Sequence, residues 1–185
     1  MVEVVVLGSG SRGNCTLVRA GERAVLIDAG LSAKDIKHRL AAVGQDLRRI
    51  EAILVTHEHA DHVNGLRVFA RRTGALVLAN LATLRALAAR LVDVRQQAAF
   101  TNGTVFAAGP FHVTAFPIPH DAIDPVGFVL EAEGVRVGYS TDLGHVTPLV
   151  EERLSGCAAI VLSSACACQN MSYAGCSVSL CQKGS

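Results

Sequence analysis

The residues that could do chemistry are concentrated in one short segment, Thr-His-Glu-His-Ala-Asp-His. It contains four possible metal ligands within six residues: His57, His59, Asp61 and His62. A neutral imidazole and a carboxylate are the usual nitrogen and oxygen ligands of Zn²⁺ and similar ions. Two histidines spaced two apart, followed at once by a carboxylate and a third histidine, indicate two neighbouring metal ions rather than one. The alternative is a polar surface turn in which three of the chain's seven histidines fall together by chance.

Two metal ions need further ligands from elsewhere in the chain. His120 and Asp142 each follow a segment that predicts a β-strand. Residues at strand ends are held by a rigid sheet and are good places for a site. Each also has an ordinary interpretation, His120 as a surface loop histidine and Asp142 as a turn residue. Given the first motif, we expect both to join the metal site.

Two further sequence motifs match known functional patterns, but the residues around them do not fit those functions. The segment 8–13 reads Gly-Ser-Gly-Ser-Arg-Gly, and Asp28 lies 20 residues after Gly8, as in a dinucleotide-binding fingerprint. That mechanism needs a helix to begin at the loop, but residues 14–21 are β-prone and end in glycine. We therefore interpret these glycines as a tight loop that passes close to an active site. The zinc-protease motif H-E-x-x-H fails because the fifth position from His57 is Asp61.

The elements that must position these residues follow from the apolar pattern. Short apolar runs between turn residues predict strands at 2–7, 16–18, 24–27, 53–55, 75–79, 111–116, 126–131, 135–139 and 158–162. Ser32 and Asn80 are predicted helix caps, and Thr147 with the following proline predicts a third helix start. Apolar residues from Val63 to Gly74 repeat at helical spacing. Mixed strands and helices predict an α/β fold in which helices cover the sheets.

The bulk composition limits the class of protein. A chain of 185 residues with 50% hydrophobic and 18% charged residues is typical of one globular domain. A net charge of +1 gives no global bias toward nucleic acid or an anionic membrane. The N-terminus lacks the pattern of a signal peptide, and no apolar stretch reaches the ~20 residues that span a bilayer. We therefore expect no membrane association and a cytoplasmic location.

Five segments together make the chain similar to a known family. They are residues 8–15, 26–30, 56–62, 120–122 and 139–144. The combination resembles the metallo-β-lactamase superfamily, whose signature is H-x-H-x-D-H followed by a distant histidine and a distant aspartate. Within it, the chain resembles the YycJ/WalJ-type branch. The resemblance implies an αββα sandwich over residues 1–162 and a nuclease-like phosphodiesterase, a 5′ to 3′ DNA exonuclease linked to repair. Nucleic acid is then the expected substrate.

The resemblance also implies a role for each site residue. His57, His59 and His120 would hold the first metal, Asp61 and His62 the second, and Asp142 would bridge both. The ions would be Zn²⁺ or Mn²⁺. Asp61 would also orient the attacking hydroxide. Asp28 would position a ligand from behind, or else it is a β-turn residue with Gly30.

The chain departs from the family after residue 162. The family has a pattern like V-L-E-x-N-H-D, and Cys166 stands where its histidine is expected. In one interpretation Cys166 supplies a thiolate ligand. In the other, which the abrupt change in composition favours, residues 163–185 are an unrelated Ser/Cys-rich tail. The C-terminal part of the sandwich would then be incomplete and the second metal site would lack a ligand.

Two other functions stay open at this stage. An incomplete domain could be inactive. The same metal core could also hydrolyse a thioester or a lactam, because a fold does not fix a substrate.

Overall fold

Six strands form one mixed β-sheet. The computed structural model describes residues 1–164. Across this sheet the strands follow chain order: β1 (Val2–Gly8), β2 (Cys15–Ala20), β3 (Arg23–Ile27), β4 (Ile50–Leu54), β5 (Leu76–Asn80) and β6 (Gln97–Phe100). The pairs β1–β2 and β2–β3 are antiparallel, and β3 to β6 are parallel. The carboxyl ends of β3, β4 and β5 therefore lie at one edge, where parallel sheets commonly place their sites.

The second sheet comes from the later part of the chain. Its strands are β7 (Val105–Ala108), β8 (Phe111–Pro117), β9 (Val126–Ala132), β10 (Val135–Leu143) and β11 (Ala159–Ser164), in the order β11-β10-β9-β8-β7. All its pairs are antiparallel except β10 with β11. His120 follows β8, and Asp142 lies in the last residues of β10.

Alternation along the strands separates the core into layers. In β3, Ala24 and Leu26 pack toward helices, whereas Val25 and Ile27 pack between the two sheets. The outer face of the first sheet is covered by α1 (Ala33–Ala42), α2 (Ala60–Val63), α3 (Leu66–Thr73) and α4 (Leu81–Leu87). The helix α5 (Pro148–Leu154) covers the second sheet. The architecture is an αββα sandwich, so the predicted fold class is confirmed.

The predicted helix starts agree with the structure, but one predicted helix is interrupted. Ser32, Asn80 and Thr147 each accept a hydrogen bond from a backbone N–H of the first helical turn. The helical repeat from Val63 to Gly74 is divided at Gly65, whose N–H donates to the carbonyl of Ala29 instead of continuing α2. Among residues 1–164, no helix is long and apolar enough to cross a membrane.

Two short strands had no counterpart in the sequence pattern. Each of β6 and β7 has four residues, and in each only the last is buried. A four-residue edge strand with little burial gives too few alternations to recognise. Both lie at sheet edges.

The loop of residues 8–13 connects two antiparallel strands. Because β1 and β2 pair directly, no helix begins at this loop and a dinucleotide would find no helix N-terminus there. The structure thus agrees with rejecting the dinucleotide-binding interpretation.

Gly30 packs directly against the backbone of Asp61, a predicted metal ligand, and of Asn14. A Cβ atom on Gly30 would lie 1.6 Å from the carbonyl oxygen of Asp61 and 2.7 Å from the backbone nitrogen of Asn14. Gly30→Ala is expected to lower the free energy of unfolding by at least about 3 kcal/mol, because backbone atoms on both sides must shift. Urea denaturation followed by circular dichroism measures this loss.

The matched control is Gly21→Ala. Unlike Gly30, Gly21 has a positive φ, 61°, and a Cβ there meets nothing within 4 Å. Only the left-handed backbone then opposes alanine, at a cost of about 1–2 kcal/mol. Equal destabilisation of the two variants would contradict the close contact at Gly30.

Candidate metal centre

The motif segment occupies the loop between β4 and α2. The backbone at its start is fixed on both sides, since Val55 N–H donates to Leu78 O at 2.9 Å and Val126 N–H donates to Thr56 O at 3.1 Å. His57 and His59 lie in the loop, and Asp61 and His62 lie on α2. The motif is therefore wedged between the two sheets at one end of the sandwich.

The first group of possible ligands is made of three histidines. His57, His59 and His120 each offer one ring nitrogen, and these atoms lie within 4.8 Å of one another. Their ring centroids are 4.6 to 5.1 Å apart. Nε2 of His120 is 3.3 Å from Nδ1 of His59. The geometry thus brings His120, in the loop after β8, beside the motif histidines.

The second group shares one histidine with the first. Ligand atoms of His57, His62 and Asp142 also lie within 4.8 Å of one another. Oδ2 of Asp142 is 2.7 Å from Nε2 of His62, and Oδ2 of Asp61 is 3.6 Å from the same nitrogen. Asp61 belongs to neither group by distance, but its carboxylate lies beside the second one.

Asp28 lies behind this second group. Its side chain is fully buried, and its backbone is left-handed, with φ 60°. Oδ1 accepts hydrogen bonds from the backbone N–H and the hydroxyl of Thr56, at 2.9 and 3.1 Å. Oδ2 lies 2.8 Å from Nδ1 of His62. A carboxylate that holds Nδ1–H leaves Nε2 to face the centre, which is how metal-ligating histidines are commonly oriented.

Burial and neighbouring charges shift the pKa values of His57 and His62 in opposite directions. Burial, followed by the neighbouring imidazoles, lowers the pKa of His57 to about 3. Burial acts the same way on His62, but the carboxylates of Asp28 and Asp142 outweigh it and raise the pKa of His62 to about 10. Burial also acts to raise the pKa of Asp142, yet the hydrogen bond and charge of His62 hold it below its usual range.

The residues fit a metal ion. Nε2 of His57 is buried and has no hydrogen-bond partner among residues 1–164. A buried ring nitrogen without a partner is costly, and a metal ion bound to a neutral imidazole removes that cost. A set of imidazole nitrogens and carboxylate oxygens suits Zn²⁺ and Mn²⁺.

One contact residue of the centre had no predicted role. The side-chain nitrogen of Asn14 donates to Oδ2 of Asp61 at 3.2 Å and lies 2.9 Å from Nε2 of His62. Asn14 is 47 residues before Asp61, and in the sequence only its place directly after the glycine-rich loop indicates that it lies near the motif. The loop that carries His120 is tied to the motif as well, because Ile123 N–H donates to Glu58 at 3.0 Å.

The start of the predicted tail contacts a predicted metal ligand through one hydrogen bond. Strand β11 runs to Ser164, and the backbone N–H of Asp142 donates to the hydroxyl of Ser163 at 3.3 Å. The predicted boundary after residue 162 therefore falls inside a strand. Cys166, the other predicted ligand, lies outside the described residues.

Comparison with known proteins identifies the family. A family model described as a beta-lactamase superfamily domain matches residues 23–176. The chain belongs to the metallo-β-lactamase superfamily. The Zn²⁺-bound structure of PqqB from Methylobacterium extorquens has the same fold, with a TM-score of 0.72 at 24% identity over 86% of this chain and 71% of that one.

Two relatives of this superfamily member are named as nucleases. Exodeoxyribonuclease YycJ of Bacillus anthracis is 34% identical over 161 residues, which cover 86% of this chain and 61% of YycJ. Ribonuclease Z of Mycobacterium avium is 30% identical over 201 residues, covering 87% of this chain and 69% of that protein. The chain thus spans about six tenths of the length of YycJ.

Proposed function

We propose that this superfamily member is a metal-dependent phosphodiesterase that hydrolyses nucleic acid, acting as a 5′ to 3′ DNA exonuclease. The observation that carries the proposal is the pair of ligand groups that share His57, one with His59 and His120 and one with His62 and Asp142. Two adjacent ligand groups would suit two neighbouring ions, the arrangement that many phosphodiesterases use.

The roles proposed for the residues are those that the resemblance implies. His57, His59 and His120 would hold one ion, Asp61 and His62 the other, and Asp142 would bridge them. When bound, such ions activate water at neutral pH and stabilise charge on the attacked phosphate. Asp61 would orient the attacking water, since Asn14 fixes its Oδ2. Asp28 keeps the ring of His62 turned toward the centre.

The names of two relatives support nucleic acid as the proposed substrate. YycJ and ribonuclease Z are both named for acting on nucleic acid, and a phosphodiester is the bond that they have in common. The proposal includes Zn²⁺ or Mn²⁺ as the ions, residues 1–162 as the catalytic domain, a role in DNA repair and a cytoplasmic location, where that substrate is found.

A substrate panel tests the proposal. Protein stripped with a chelator is reloaded with Zn²⁺ or Mn²⁺ and offered 5′-labelled single-stranded DNA, RNA, bis(4-nitrophenyl) phosphate, a thioester and a β-lactam. We expect the phosphodiesters to be cleaved only after reloading, and nucleotides to be released from the 5′ end of DNA. Preferred hydrolysis of the thioester or lactam, or no turnover with either metal, would overturn the proposal.

A further inference from the structure

We infer that the loop of residues 8–13 is a binding subsite for the phosphate backbone of the nucleic acid, with Arg12 as its cation. The inference rests on the proposed function, because it describes how that substrate is held beside the metal centre. It gives a role to the glycine-rich motif that a dinucleotide cannot use.

The loop is connected to the metal centre by a single residue. The backbone N–H of Asn14 donates to the carbonyl of Asp61 at 2.7 Å, and its side-chain nitrogen donates to Oδ2 of Asp61 at 3.2 Å. The side-chain oxygen of Asn14 accepts the N–H of Gly10 at 2.9 Å. Asn14 therefore holds the loop with one end of its amide and the centre with the other.

The loop is also fixed by close backbone packing. Gly10 and Gly13 have φ of 106° and 137°, and Gly13 N–H donates to Gly10 O at 2.9 Å. A Cβ on Gly13 would lie 2.6 Å from the backbone nitrogen of Leu31. On its other side, Ser9 lines a small cavity together with Thr141, the residue before Asp142. The loop thus packs against chain neighbours of Asp142 on one side and against residues 30–31 on the other.

The outer surface of this fixed loop presents donors. Ser9, Ser11 and Arg12 are exposed. Within residues 1–164, the two hydroxyls and the backbone N–H groups of Ser11 and Arg12 have no hydrogen-bond partner, and no carboxylate pairs with Arg12. Hydroxyls, turn N–H groups and a guanidinium are the groups that bind phosphate oxygens.

Because the loop lies beside the metal centre, its expected ligand is a nucleic-acid backbone rather than an isolated anion. The metal centre takes the phosphate to be cleaved, and an exposed loop fixed directly beside it is placed for an adjacent phosphate of the same strand. A thioester or a lactam offers no such phosphate. Because hydroxyls and Arg12 contact phosphates rather than bases, the subsite is expected to bind DNA and RNA without sequence preference.

Steady-state kinetics of Arg12→Ala test the inference. The substrates are a 20-nucleotide single-stranded DNA, the matching RNA and bis(4-nitrophenyl) phosphate, which has no adjacent phosphate. We expect KM for DNA to rise about tenfold, as for a lost charge-assisted contact, with kcat and the small substrate within twofold of the unchanged protein. The slope of log(kcat/KM) against log[salt] should become shallower by about 0.7, one phosphate contact on a single strand.

Three more variants sharpen the test. Arg12→Lys should recover part of the loss, since it keeps the charge but not the planar fork. Ser11→Asp should raise KM at least as much as Arg12→Ala, because it places a negative charge in the loop. The matched control is Arg72→Ala, an exposed arginine in the last turn of α3, which should change KM less than twofold.

The outcomes separate the two proposals. If the protein cleaves DNA but Arg12→Ala and Arg72→Ala behave alike on DNA and RNA, the subsite is wrong and the proposed function stands. The subsite is also wrong if Arg12→Ala loses the small substrate equally. If the unchanged protein cleaves none of the three phosphodiesters, the proposed function fails and the subsite fails with it. A KM rise on DNA but not on RNA that the protein also cleaves would likewise contradict a subsite that contacts phosphates alone.

Discussion

Replacing His59 with alanine is expected to reduce metal-dependent DNA cleavage by roughly 10³-fold. His59 belongs to the three-histidine group, so its loss would weaken the binding of the ion at that group. A bound ion stabilises transition-state charge by several kcal/mol, and each 1.4 kcal/mol lost lowers the rate about tenfold. His59 is only partly buried, unlike His57 and His62. The alanine variant should therefore keep its fold, so that the loss is one of chemistry.

The matched control is His38→Ala. His38 is exposed on α1 and belongs to neither ligand group. Both variants are compared for bound metal, for circular dichroism and for initial rates on labelled single-stranded DNA. The His38 variant should match the unchanged protein in all three. Unchanged DNA cleavage by the His59 variant would contradict the proposed metal centre.

Replacing Asp28 is expected to have the second large effect, on stability and metal binding together. Asp28→Ala leaves the N–H and hydroxyl of Thr56 and Nδ1 of His62 without their buried partner. Breaking such a buried charged contact typically costs about 3–5 kcal/mol. Loss of a residue that orients a ligand typically lowers metal affinity by about 10–100-fold.

Asp28→Asn separates these two effects. Asparagine tolerates the left-handed backbone and can still accept the N–H of Thr56, so its stability loss should be clearly smaller than that of alanine. Its amide donor, however, would face Nδ1 of His62 and favour the tautomer that places the proton on Nε2. We expect metal affinity to fall about as much as in the alanine variant, measured by competition with a chromophoric chelator. Metal affinity equal to that of the unchanged protein would contradict the positioning role.

Much of the fold and of the site could be predicted because the information is local. The four motif residues lie within six positions of the chain. His120 follows β8 and Asp142 lies in the last residues of β10, and the apolar runs of both strands are long and well bounded. Helix starts were equally predictable, because Ser32, Asn80 and Thr147 cap through contacts three residues away.

The unpredicted features depend on distant contacts. Gly65 interrupts a helix because its N–H donates a hydrogen bond to the carbonyl of Ala29. Glycine is required at position 30 because the backbone of Asp61 packs against it. No local pattern announces either contact. The place of Asn14 beside Asp61, which connects the glycine-rich loop to the centre, is likewise visible only in the folded chain.

The most direct test of the account is a metal titration read together with turnover. Chelator-stripped protein receives Zn²⁺ or Mn²⁺ in steps, and bound metal per chain is measured by mass spectrometry while cleavage of labelled DNA is followed in the same samples. We expect about two bound equivalents and an activity that rises until the second is bound. Saturation at one equivalent with no cleavage of DNA would contradict it.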